Sequence, residues 1–181
     1  MRMTIVVDVQ NDFIDGALGT PEAKIARDNL VEKLKQEDEG TIVIFTRDTH
    51  QDASYLDTLE GKKLPIKHCI AYTNGWNIDD KIYDLGTKNR VYDIVSKHAF
   101  GSFSSLALAI HSFCGDDNYS PFEIEICGLC TDICVVSNAL ILRAAFPDTP
   151  ITLDSKCCAG TTPAAHEAAL TVMRSCQIDV V

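Results

Sequence analysis

Apolar β-branched runs and amphipathic helical runs take turns along this chain, and that alternation limits the fold more than any other feature of the sequence. Residues 4–9 are a β-branched apolar run that delivers Asp8 near its carboxyl end, the pattern of a strand buried on both faces. Thr20 before Pro21 and Glu22 reads as an N-cap with proline in the first helical turn, and Ile25, Leu30, Val31 and Leu34 supply an apolar face to the helix that follows. Further strands are expected at 41–46, 91–95, 123–127, 151–153 and 177–181. Helices are expected at about 104–111, at 132–145, and after the Thr162-Pro163 cap. Alternation of this kind implies right-handed crossovers between parallel strands, with helices on both faces of the sheet. The sequence therefore predicts a three-layer α/β/α sandwich with a mostly parallel six-stranded sheet. A chain of 181 residues accommodates this as one domain over 1–181.

Sheets of this type bind ligands beyond the carboxyl ends of their strands, and Asp8, Asp48, Lys97 and the segment after Cys127 all fall there. Residues 47–88 are irregular and polar, longer than an ordinary connection, as functional or disordered loops usually are. Charge narrows the partners. At a net −10, with no stripe of Lys and Arg, the chain is expected to repel nucleic acid. No apolar run is long enough to span a bilayer, and the opening MRMTIVVDVQNDF is read as a first strand, not a signal peptide. Most of the eight cysteines are expected to be reduced thiols in a cytoplasmic protein.

The chemistry concentrates in GLCTDICVVSNAL, residues 128–140, which joins a strand to a helix. Thr131 is the expected N-cap and Cys134 lies in the first turn, where free N–H groups and the helix dipole favour a thiolate and can hold an oxyanion. Alone, Asp8, Lys97 and Cys134 would each pass for ordinary structural residues. Together, DVQNDF near the start, a lysine just after a central strand in SKHAFGSF, and GLCTDICVV resemble, in the same order, the three motifs of nicotinamidase-like cysteine hydrolases of the isochorismatase-like superfamily. The resemblance implies a catalytic aspartate at Asp8, a lysine at Lys97 and a nucleophile at Cys134. It also implies a cis peptide between Leu129 and Cys130, with the N–H groups of Cys130 and Cys134 facing the oxyanion. These residues can cleave an amide: Asp8 moves the proton, Cys134 attacks, and a thioester is hydrolysed. Cys127 and Cys130 form a C-x-x-C pair, but Cys127 ends an apolar strand and should be buried, unlike a redox couple. Cys157 and Cys158 lie near a strand end, where they could line the pocket.

The loop TRDTHQDASYLDTLEGKKLPIKHC, residues 46–69, resembles the metal-binding loop of nicotinamidases, which implies Asp48, His50 and His68 as ligands. Where that family commonly has a further histidine, Ser54 and Tyr55 stand here, and Glu60 is the expected substitute. Imidazole and carboxylate donors suit Zn, with Mn or Fe as alternatives. Phe13, Phe100 and Phe103 flank the motifs and are expected to clamp a flat ring, whereas Trp76 lies outside all of them. The expected partner is a small amide, first nicotinamide, and the family likeness implies a homo-oligomer. Cys134 argues against an isochorismatase, which needs no thiol. The Asp48, His50 and His68 loop argues against a carbamoyl hydrolase, and Asp8 with Lys97 argues against a thiol redox sensor.

Overall fold

The computed structural model describes residues 1–88, 90–114 and 122–181. Six strands form one all-parallel sheet: β1 (Arg2–Val7), β2 (Ile42–Asp48), β3 (Tyr92–Lys97), β4 (Glu123–Leu129), β5 (Ile151–Ala159) and β6 (Asp179–Val180), in the order β3-β2-β1-β4-β5-β6. The central strands read as continuous apolar runs because both faces are covered, and Ile5, Val6, Ile44, Phe45, Ile126 and Cys127 have no accessible surface. Lys97 ends β3, which is an edge strand and not a central one.

Helices cover both faces. Helix α1 (Asn11–Ile14) is a single turn after β1, and α2 (Pro21–Gln36) lies along β4 and β5 and packs against α4 (Asp80–Thr87). Thr20 caps α2 as expected, its hydroxyl accepting from the Ala23 N–H at 3.0 Å. Leu30, Val31 and Leu34 are buried, but Ile25 is 62% exposed, because the buried stripe passes through Ala23 and Ala26 instead. On the other side α5 (Ser105–Cys114) packs near β3, and α6 (Val136–Ala145) against α7 (Pro163–Ser175), which Thr162 caps. None of the described helices is long and apolar enough to cross a membrane.

Several strands end a residue or two away from their sequence-based bounds, and three departures are larger. The long segment after β2 is not structureless: it holds a 3-10 turn (Tyr55–Asp57), α3 (Leu59–Lys63) and α4, the last started by Asp79, whose carboxylate accepts from the N–H groups of Lys81 and Ile82. β5 runs six residues beyond the expected 151–153, through the polar stretch Asp154, Ser155 and Lys156. There its pairing with β4 shifts register between Ile126 and Gly128. Finally, α6 begins after a π turn, Thr131–Val135, whose N-cap position is Cys130, not Thr131.

Candidate active site

Asp8 is the first residue past β1 and is fully buried. Its φ of 47° turns the chain out of the sheet, a left-handed conformation rarely adopted away from glycine. Thr46 of β2 holds it there, the backbone N–H of Asp8 reaching the Thr46 carbonyl at 3.2 Å and the Thr46 hydroxyl donating to Oδ1 at 2.6 Å. Lys97 pairs in register with Asp48 across β2 and β3. Its ammonium is the hub of the site: Nζ lies 2.6 Å from Asp8 Oδ2, 3.4 Å from Asp48 Oδ1 and 3.5 Å from Cys134 Sγ. The structure thus brings together all three residues of the expected triad.

Burial raises the carboxyl pKa of Asp8 above its ordinary value, with Lys97 pulling against it and Asp48 reinforcing it. Lys97 stays a cation, since the surrounding negative groups outweigh its desolvation. Cys134 differs from its sequence-based expectation. Burial pushes its thiol well above the ordinary range and the Asp8 charge adds to this, while Lys97 only partly opposes them. At 4% exposure, loss of hydration raises the thiol, against the lowering that a helix start alone would give.

The Leu129–Cys130 peptide is cis, as the resemblance implied. In the π turn that follows, the Cys130 carbonyl accepts from Ile133 N and Val135 N, each at 3.1 Å, and neither bond uses the Cys134 N–H. Asn138, fully buried one turn further on, holds the Cys134 backbone: Nδ2 donates to the Cys134 carbonyl at 2.8 Å while Oδ1 accepts from Ser102 N at 2.8 Å. The Thr131 hydroxyl, free of capping duty, pairs with His166 Nδ1 of α7 at 2.8 Å.

Beside the triad, Asp48, His50, Glu60 and His68 point one donor atom each into a space where all four atoms lie within 4.8 Å of one another. His50 Nε2 is 2.8 Å from Asp48 Oδ2 and 3.7 Å from Glu60 Oε1, and His68 Nε2 is 3.7 Å and 3.4 Å from the same two atoms. Two imidazoles facing two carboxylates in a largely buried pocket fit a borderline divalent metal such as Zn. Glu60 thus joins Asp48, His50 and His68 in one cluster of donor atoms. Tyr55 supports the cluster: its buried ring packs edge-on against His50 and His68, with centroids at 5.0 and 5.4 Å. His68 Nδ1 sits 2.9 Å from the Ile66 carbonyl, which suits a ring that keeps Nε2 free for a metal.

The three expected aromatic clamps separate. Phe13 is buried with its ring 5.5 Å from that of His68, Phe100 is half exposed, and Phe103 is 88% exposed and builds no buried wall in this chain. Trp76, unassigned from sequence, joins the surroundings of the site through its Nε1 bond to Thr49 Oγ1 at 2.9 Å and the Arg47 guanidinium stacked 3.5 Å over its ring. All eight cysteines are free, and Cys127 is buried as expected. Cys158 lines a groove of about 290 Å³ between α2, β5 and α7 whose walls include none of the triad. Thr46, Asn138 and Tyr55 were not singled out by sequence, because a buried threonine, asparagine or tyrosine carries no motif of its own.

The fold is a parallel α/β/α sandwich that gathers a carboxylate, an ammonium and a thiol past the carboxyl ends of its strands, where sheets of this type hold their ligands. The chain belongs to the isochorismatase family, whose isochorismatase domain matches residues 2–181. Among solved structures it is similar to the pyrazinamidase of Pyrococcus horikoshii in complex with zinc, with 25% identity, 99% of this chain and 98% of that chain covered, and a TM-score of 0.79. The nicotinamidase from Bacillus subtilis matches equally, at 25% identity, 99% and 98% coverage and a TM-score of 0.79. An N-carbamoylsarcosine amidase from Thermoplasma acidophilum shares the fold, at 22% identity, 99% and 94% coverage and a TM-score of 0.68. No curated protein sequence matches the chain.

Proposed function

We propose that this protein is a cysteine-dependent amidase that hydrolyses nicotinamide to nicotinate and ammonia. The observation that carries the reading is the Lys97 hub, which puts the thiol of Cys134, the proton acceptor Asp8 and the donor cluster around Asp48 within one contact of the same ammonium. In this reading Asp8 takes the proton of the Cys134 thiol, and Sγ attacks the amide carbonyl. The N–H groups of Cys130 and Cys134 receive the oxyanion. Collapse returns the proton from Asp8 to the leaving ammonia and leaves a thioester, which water deprotonated by Asp8 then hydrolyses. The raised pKa of Asp8 suits a group that must both accept and return a proton, and Lys97 balances the charge as Cys134 ionises.

Asp48, His50, Glu60 and His68 would hold a divalent metal, Zn first and Mn or Fe as alternatives, whose chemistry is Lewis acidity toward the ring nitrogen of the substrate. Phe13, beside His68, would flank that ring, with Phe100 at the more open side. The pyrazinamidase and nicotinamidase likenesses support this substrate class, and the four-donor cluster favours it over a carbamoyl amide, which needs the triad alone. Ammonia release from nicotinamide tests it: the metal-replete protein turns over, and Cys134→Ala or removal of the metal stops it. Loss only in Cys134→Ala keeps the amidase and removes the metal from the account. No turnover by folded, metal-replete wild type rejects nicotinamide as the substrate.

A further inference from the structure

β1 leaves the sheet before β2 does. Their last pairing is Val7 with Thr46, while β2 continues to Asp48 and stays paired with Lys97 of β3 on its other edge. The Asp48 peptide is thus left without a strand neighbour on the β1 side. The fully buried side chain of Gln10 fills that place: Oε1 accepts from Asp48 N at 2.7 Å, and Nε2 donates to the Asp48 carbonyl at 2.9 Å and to the Trp76 carbonyl at 2.9 Å. A primary amide offers an acceptor and two donors in one plane, so it can copy the pair of bonds that an adjacent strand would exchange.

Asp48 is the one side chain shared by the two halves of the site. Its Oδ1 faces Lys97 Nζ at 3.4 Å, and its Oδ2 faces His50 Nε2 at 2.8 Å and His68 Nε2 at 3.7 Å. We infer that Gln10 is a positioning residue for this shared carboxylate, clamping the Asp48 backbone so that one oxygen meets the catalytic lysine while the other meets the metal-ligand histidines. The inference rests on the site assignment proposed above and adds to it the residue that couples the two halves. Glutamate at this position keeps an acceptor for Asp48 N but sets a carboxylate against two carbonyl oxygens. Methionine fills the volume and makes none of the three bonds. Either change frees Asp48 to shift, and a shift is felt at the metal cluster and at Lys97 together.

The test uses Gln10→Met and Gln10→Glu beside wild type and a control, Leu30→Ala, which weakens the core from α2 without touching the site. Three readouts need no substrate: Zn affinity by competition with a chromophoric chelator, the visible spectrum of the Co(II)-loaded protein, and the rate of Cys134 alkylation by iodoacetamide in chelator-treated protein. The expected result is a Zn affinity lower by about 10–100-fold, a changed cobalt spectrum and a changed alkylation rate in both Gln10 variants, with all three unmoved in Leu30→Ala. Folded Gln10 variants that match wild type in Zn affinity and cobalt spectrum overturn the inference. Wild type that takes up neither metal defeats the site assignment itself, and the Gln10 role with it. Should neither variant fold, amide exchange in wild type decides: an Asp48 N–H as protected as that of Thr46 supports the clamp, and exchange at the rate of an exposed loop refutes it.

Discussion

Replacing Lys97 with methionine removes the cation that, alone among the described residues, contacts both Asp8 and Asp48, and the consequence can be worked out from the geometry. The lysine side chain is 3% exposed and Asp8 is fully buried, so solvent does little to screen what remains. Breaking a buried ion pair by deleting one partner costs about 3–5 kcal/mol. For a domain of this size each kcal/mol is worth about 2–4 °C, so Tm should fall by roughly 6–20 °C. The loss depends on pH in a definite direction. Asp8 already titrates above its ordinary value of 3.8 because it is buried, and without the ammonium it rises further. A carboxyl whose folded pKa exceeds its unfolded value adds stability that is complete below the unfolded pKa and lost as pH climbs through the folded one. Lys97→Met should therefore trail wild type most at pH 8 and recover toward it at pH 5. Urea unfolding at both pH values, with metal content held equal, measures the difference. An equal gap between variant and wild type at pH 5 and pH 8 refutes the reasoning.

Other outcomes follow from the same geometry. The acid limb of kcat/KM for amide hydrolysis should fall through a carboxylate pKa displaced above the ordinary aspartate value, and a rate that holds constant down to pH 4 removes Asp8 as the base. Glu60→Ala should weaken Zn binding by at least the roughly 10–100-fold that loss of a merely supporting residue costs, measured by chelator competition; wild-type affinity excludes Glu60 as a ligand. Asn138→Ala strands the Ser102 N–H and the Cys134 carbonyl in the interior, so it should lower stability by about 2 kcal/mol in urea and slow turnover as well. An unchanged unfolding midpoint contradicts that role.

Much of the layout was legible because the site residues sit where strand periodicity stops. Asp8, Lys97 and Cys134 each follow an apolar run, and a parallel sheet has to bring such ends together. The Thr20 and Thr162 caps were legible for a local reason, an oxygen side chain followed by proline. What escaped depended on tertiary context. Helix α4 has only eight residues and carries Gly86 against the Phe45 ring, too little periodicity to stand out from the polar segment around it. β5 hides its length because Asp154 meets Lys33 from α2 at 3.2 Å, so a charged residue sits in a strand without breaking it. The thiol of Cys134 was misjudged because the helix dipole can be read locally, whereas desolvation by the assembled core cannot. Gln10 was passed over for the same reason. Nothing in a single glutamine shows that it will stand in for a missing strand.

The thioester at Cys134 is the central claim, and partitioning with hydroxylamine tests it most directly. With nicotinamide as substrate and hydroxylamine competing with water, an acyl-enzyme passes part of its product to nicotinohydroxamate without slowing ammonia release, and Cys134→Ala makes neither product. Steady ammonia release that yields nicotinate alone at every hydroxylamine concentration, or hydroxamate formation that survives in Cys134→Ala, contradicts the account.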